Sequence, residues 1–392
     1  MSPAPATEAS TETSDQDIIY PGTIPFVLIH LACFAAIWTG VTPEALAIGF
    51  VLYWVRMVGV TGGYHRYFSH RSYKTSRVGQ FLIALIAQSS AQRGPIWWAA
   101  VHRGHHLHSD TVLDHHSPRH KGFIFSHLGW IFTKRGGKPD YAGVSDLTQY
   151  PELMWLDKHQ YFPAFLLGFT VWLLAGWSGL VVGFVWSTVL LFHCTFFINS
   201  LAHVHGSQAY QTGDDSRNNW WLAVITCGEG WHNNHHAYQS ATRQGFRWYQ
   251  IDLTYYVLTM LSWTGVIWDL RAPPPEVVNN ERRLGRIVVE KVAQQLAETF
   301  PAERMAAQLR QAWEGHATWP DIQARLRAGA AQWRSHFQLP ELPTLEEVRR
   351  RAAAEGFRVP EVSLDEVAER ARLLVIEAVS VRLLGEGEPL PA

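Results

Sequence analysis

The feature that most limits how this chain can fold is an uncharged run: from residue 159 to residue 213 there is no Asp, Glu, Lys or Arg. A helix needs about 20 apolar residues to cross a bilayer, so the run is long enough for two crossings, about 161–178 and 180–201. The glycines within residues 175–179 suit the tight turn between them. Two further crossings precede it, about 24–41 and 45–63, separated by so short a loop that they form a second hairpin. Arg56 interrupts the latter, and a charge there must snorkel, pair, or face protein instead of lipid. The pattern predicts an all-α integral membrane protein with four transmembrane helices in two hairpins. The connector from residue 61 to residue 158 holds 12 Lys and Arg, whereas the hairpin tips hold none. That asymmetry puts the connector and both termini on the cytoplasmic side. Residues 78–91 are apolar but short, and are expected to lie along the membrane face.

Composition separates the ends from this middle. Residues 1–17, rich in Ser, Thr and acids, predict a disordered leader, and residues 18–271 form the membrane domain. A Pro-rich break follows Arg271, and residues 272–392 carry 34 of the 67 charged side chains. Apolar positions recur there at helical spacing, as in Val288, Val292 and Leu296 and in Val367, Ala371 and Val375. The expectation is a soluble amphipathic helical extension whose role the residues do not disclose. A net charge of -1 supplies no field that would draw nucleic acid.

Three cysteines and no C-x-x-C pair leave no thiolate metal site, but there are twenty histidines, and many are clustered. His65 and His70 lie in HRYFSHR just past the second crossing. His102, His105 and His106 lie in HRGHH, and His232, His235 and His236 in HNNHH, beyond the fourth crossing. Residues three and four apart share a helical face, so each H-x-x-H-H aims three imidazoles at one place. Two triplets and a pair exceed the needs of one metal, which implies a dinuclear site. Imidazole suits zinc, copper, iron and nickel, so spacing alone does not name the element. All three clusters fall on one side of the membrane. Asn199 and His203, four apart in NSLAH, extend the set: His203 as a ninth ligand, Asn199 holding a metal-bound water. The isolated His30, His159, His193, His316 and His336 read as packed core side chains.

At these residues the chain resembles the membrane fatty-acyl desaturases of the stearoyl-CoA desaturase type, bacterial-type members included. HRYFSHR, HRGHH and GEGWHNNHH match the three histidine boxes of that family in order and spacing, and QRGPIWWAAVHRGHH is wording of its bacterial-type members. The likeness runs from about residue 24 to residue 270. It implies a cytosolic helical cap over four crossings, two irons, and a kinked tunnel for the acyl chain. By position it implies His65, His70, His102, His105, His106, His203, His232, His235 and His236 as ligands, with Asn199 acting through water. Gln92 and Trp98 would line the bend of the tunnel, Lys134 and Arg135 would contact CoA phosphates, and Tyr53 would close the far end. Ala100-Val101 stands where animal members have Arg-Asp, so one cationic contact to CoA is missing, and CoA and membrane lipid both stay open as carriers of the acyl group.

The resemblance implies oxygen-dependent introduction of a cis double bond, at delta-9, into a long-chain acyl group. No side chain can take hydrogen from unactivated methylenes, so a redox metal and dioxygen are required. The chain has no G-x-G-x-x-G and no haem or iron–sulfur motif, so electrons come from a separate ferredoxin, rubredoxin or cytochrome b5 type carrier with its reductase. Two alternatives compete with this reading. One is a fatty-acyl or alkyl hydroxylase on the same scaffold; the other is a metal transporter, which would need ionisable residues inside the crossings.

Overall fold

The computed structural model describes residues 24–133, 141–313 and 342–384. The described chain is helical apart from one two-stranded ribbon, β1 (Lys74–Thr75) against β2 (Ile267–Trp268), paired antiparallel. It divides into two units, residues 1–208 with 215–274, and residues 209–214 with 275–392.

In the first unit, α1 (Ile24–Thr39) is apolar, and α2 (Pro43–Ser69) is long and apolar enough to cross a membrane. Thr42 caps α2 by accepting from the Ala45 amide at 3.2 Å, and Pro43 occupies the first turn, where its missing N–H costs nothing. The second such segment runs from Phe162 to His203 and comprises α6 (Phe162–Ser178), the widely wound stretch Gly179–Trp186 and α7 (Ser187–Asn199). It is not straight. Gly176 takes φ 63 and ψ -160, a conformation open essentially to glycine alone, and the chain reverses there. Gly168 accordingly faces the Phe184 ring, eight residues to either side of the break. The turn expected at residues 175–179 is this reversal.

Gly49 and Gly183 let α2 and the Gly179–Trp186 stretch approach closely: a Cβ on Gly49 would lie 3.1 Å from the Val182 carbonyl, and one on Gly183 2.9 Å from Ile48 Cγ2. Small residues at such a crossing are how apolar helices pack where water supplies no driving force. Arg56 faces protein, one of the three outcomes open to a charge in an apolar run. Its guanidinium donates to Ser187 Oγ and Thr188 Oγ1, each at 2.6 Å, and sits over the Phe184 ring. The outer faces are apolar and bare, with Trp38 81% and Leu174 83% exposed.

Helix α3 (Arg77–Gln88) buries Gly79, Gln80, Ala84 and Ala87 and leaves Val78 and Leu82 exposed. Helix α4 (Pro95–His108) is capped from outside. Asp157, on α5 (Pro151–Lys158), accepts from the Ile96 and Trp97 amides at 3.1 and 2.9 Å. Beyond α7 lie α8 (Trp220–Ile225), α9 (His232–Ala237) and α10 (Leu253–Trp263). The apolar α10, with Met260 and Trp263 exposed, is an element that the count of four crossings passes over.

The second unit has its own core. Helices α11 (Arg286–Glu298), α12 (Ala302–Trp313), α13 (Leu345–Ala354) and α14 (Glu361–Leu384) bury Val292, Leu296, Val348, Val367, Ala371 and Val375 together. His316 and His336 lie outside the described residues.

Candidate metal centre

Helix α2 does not end at its apolar stretch. It runs on as a π-wound segment from Gly59 to Ser69 and carries His65 with it. His65 and His70 are five apart, a spacing that on an α-helix points them in divergent directions, because each residue advances about 100°. Winding with i to i+5 hydrogen bonds changes that. The His70 amide donates to the His65 carbonyl at 3.2 Å, and the two rings come within 4.8 Å of each other, centroid to centroid.

The nine histidines gather into two groups. His65, His70, His102, His106 and His235 form one; His105, His203, His232 and His236 form the other, and within each group the ligand atoms lie within 4.8 Å of one another. In the first group the Nε2 atoms run in a chain: His70 to His102 at 2.8 Å, His102 to His106 at 2.9 Å, His106 to His235 at 2.9 Å, and His235 to His65 at 3.0 Å. In the second, His203 Nε2 lies 3.0 Å from His232 Nε2. The expectation that each H-x-x-H-H aims all three rings at one place is corrected here. His102 and His106 go to the first group and His105 to the second; His232 and His236 go to the second and His235 to the first. The i and i+4 rings share a face, whereas i+3 sits about 100° from i+4, so one short helix serves both groups. The groups adjoin, with the His106 and His236 rings 4.5 Å apart.

These residues fit metal ions. Imidazole nitrogens bound side by side to one divalent metal at about 2.1 Å stand about 3 Å apart, the separation seen here. Burial first, and neighbouring imidazoles after it, hold His70, His102, His106, His232 and His235 well below the usual histidine range. The rings are therefore neutral, the form that binds metal. Lone pairs packed this closely repel unless a cation lies between them.

Carboxylates behind the rings orient them, a role the sequence reading missed. His203 Nδ1 donates to Asp110 at 2.7 Å, His105 Nδ1 to Asp114 at 3.0 Å, and His65 Nδ1 to Glu229 at 2.5 Å, which leaves each Nε2 as the metal-facing atom. Burial would raise Asp114 and Glu229, but His105 beside the one and His65 with Arg66 beside the other pull both below the usual carboxylate range. Arg66 in turn joins Glu229 to Asp252 at 3.1 and 2.9 Å. The two asparagines of HNNHH are also structural. Asn234 accepts from Asn218 at 2.7 Å and donates to the Gln244 carbonyl at 2.9 Å, which fixes the short α9.

Asn199 and His203 do not share one helix. Helix α7 stops at Asn199, Ser200 turns the chain, and His203 lies in a 3-10 turn. Asn199 instead lines a cavity of about 120 Å³ that His102 also borders. Gln92 and Trp98 line the same cavity. Gln92 donates to Thr195 Oγ1 at 3.0 Å, a partner the sequence reading did not single out, and the Trp98 indole stacks on His102. Tyr53 lines neither this cavity nor the wider one beside it. It is buried, donates to the Ile225 carbonyl at 2.5 Å, and belongs to the cluster on which Trp98 packs. Lys134 and Arg135 lie outside the described residues. A second cavity of about 510 Å³ reaches His70 and His106 between Arg71 and Arg103. His30, His193 and His127 form a line of contacts at 3.1 and 3.0 Å, whereas His159, expected as a packed core side chain, is exposed and bonds the Trp155 carbonyl.

The sequence model of the fatty acid desaturase family matches residues 42–262. The chain is 37% identical over 268 residues to the sn-1 stearoyl-lipid 9-desaturase of Anabaena variabilis, which covers 67% of this chain and 97% of that protein. It is 37% identical over 249 residues to an acyl-CoA 5-desaturase of Anemone leveillei, 62% of this chain and 77% of that one. To the delta-9 acyl-lipid desaturase 2 of Arabidopsis thaliana it is 39% identical over 252 residues, 63% and 79% of the respective chains. With more than half its length inside the family pattern and two buried histidine groups that can hold metal, the chain belongs to the fatty acid desaturase family of enzymes.

Proposed function

We propose that this protein introduces a cis double bond at delta-9 of a long-chain acyl group, carried on CoA or on a membrane lipid, with two irons, dioxygen and external electrons. The observation that carries this reading is the convergence of nine imidazoles into groups of five and four. Bound there, two irons with dioxygen supply an oxidant able to take hydrogen from unactivated methylenes. Two electrons and two protons complete the balance: the acyl chain loses two hydrogens and dioxygen leaves as two waters.

The chain's own residues place and shield the substrate. The nine histidines hold the metals, Asn199 reaches one of them through a water, and Asp110, Asp114 and Glu229 fix ring orientation. Gln92, Thr195 and Trp98 shape the bend in the acyl path. Tyr53 supports that bend from the cluster beneath Trp98, and Lys134 and Arg135 contact the headgroup. Four crossings, α1, α2 and the two arms on either side of Gly176, carry a cytoplasmic cap, with both termini on that side. Residues 272–392 form a separate soluble extension. A ferredoxin, rubredoxin or cytochrome b5 type carrier supplies electrons.

Expression in a host with a defined lipid profile, with iron analysis of the purified protein, tests the reading. A new cis-monounsaturated chain that disappears in His105→Ala is expected. A product heavier by one oxygen would instead identify a hydroxylase. An unchanged profile, with two irons bound and a working reductant, overturns the proposal.

A further inference from the structure

The cavity at His102 is not a closed pouch. It shares Phe26, Ala91, Tyr161 and Phe192 with a wider cavity of about 570 Å³ between α1 and α6. The wider cavity is almost wholly apolar, and its outer wall includes Phe165, 73% exposed, and Trp177. It follows α6 from Tyr161, just before the helix, to Trp177, near its far end. From Tyr161 to the break at Gly176, at 1.5 Å per residue, that is about 22 Å, most of the thickness of a bilayer's hydrocarbon core.

We propose that the acyl chain reaches the metals sideways, as one tail of a bilayer glycerolipid moving through this groove, with Phe26 as the movable side chain at the junction. The inference rests on the desaturase reading above and adds the route and the carrier. The shared lining supports it: the groove's outer wall carries exposed apolar rings, and the inner cavity that adjoins it reaches the His102 ring. The energetics agree. A tail already in hydrocarbon has no water to shed on entering an apolar groove, so it gives up only rotational freedom. A thioester arriving from water must first be drawn off the aqueous phase or a micelle. The junction is narrow, and the helices that flank it are tied together while the Phe26 side chain fills it. The Phe26 ring stacks on Phe192 with centroids 5.6 Å apart, and one turn along α1 His30 meets His193 of α7 at 3.1 Å, tying the two helices together.

The test uses the full chain in nanodiscs of distearoyl phosphatidylcholine containing a small fraction of lipid with a diazirine at the middle of one tail. After illumination, the labelled residues are mapped by mass spectrometry. Label on Phe192, only 4% exposed and so beyond the reach of surrounding lipid, or on Thr195 is the expected result. Ile29→Trp, which narrows the outer groove, should lower that label and the initial rate on bilayer stearoyl chains at least tenfold, whereas Ile37→Trp, on the same helix but 76% exposed and outside the groove lining, should lower neither. Label confined to outward faces, or unchanged by Ile29→Trp, overturns the route. If wild-type protein converts stearoyl-CoA but leaves bilayer chains untouched, the route falls and the desaturase reading stands. If it converts neither, the desaturase reading falls, while the labelling still decides whether a tail enters the groove.

Discussion

The two histidine groups share helices α4 and α9, with His65 and His70 completing one and His203 the other, yet their surroundings differ. In the five-membered group His70, His102 and His106 are only partly buried, and its rings border both the cavity at Trp98 and the one between Arg71 and Arg103. In the four-membered group every ring is buried, and two aspartates stand behind it where Glu229 alone stands behind the other. Similar ligands in unlike settings do unlike work. On the proposed reading the open group is where an acyl chain and small reactants arrive, and the closed group is anchored and screened. That contrast can be broken or sharpened by experiment.

Removing a ring from the closed group should have the largest effect. His203→Ala takes one of four ligands from a site with no solvent to substitute, and is expected to cut turnover by at least about a hundredfold and to halve bound iron by elemental analysis. Retention of full iron and activity would remove the four-ring group as a site. Next comes Asp110→Asn. Asp110 orients His203 and is itself held by Ser117 Oγ and the Asp215 amide at 2.7 and 2.8 Å. Its loss should weaken metal retention by about 10- to 100-fold, and chelator titration should show one ion released well before the other. Glu229→Gln is its counterpart at the open group and should weaken retention less, by about tenfold. Gln244 already stands 3.2 Å from His65 Nδ1 and can turn its carbonyl to accept. An effect equal to that of Asp110→Asn would erase the distinction between the groups. Gly176→Ala touches neither group. It should cost about 1–3 kcal/mol of backbone strain, seen as a melting point a few degrees lower with iron content unchanged.

Much of this was legible in the residues, and the rest was hidden for identifiable reasons. The histidine boxes stand out because imidazoles at repeated helical spacing have few structural uses. Gly176 and Arg56 were legible because a reversal and a charge in an apolar run each permit few solutions. The periodic Val292, Leu296, Val367 and Ala371 are buried, as amphipathic helices require. Hidden was anything set by winding or by distant partners. The five-residue step from His65 to His70 reads as a mismatch until the helix is seen to be π-wound. The sharing of each box between two groups needs both groups in view. Asp110, Asp114 and Glu229 look like ordinary loop acids. The signal that could have found them is their position within eight residues of a ligand box in a region otherwise nearly free of acids.

That sharing of boxes has a mechanical outcome. Each of α4 and α9 carries rings of both groups one and three residues apart, so the rise of a helix, about 1.5 Å per residue, acts as a ruler between them. The backbone anchor points of the rings cannot move apart without unwinding the helix. A substrate pressing on one group therefore pushes against a stiff truss, and the separation of the pair is inherited from the peptide chain itself.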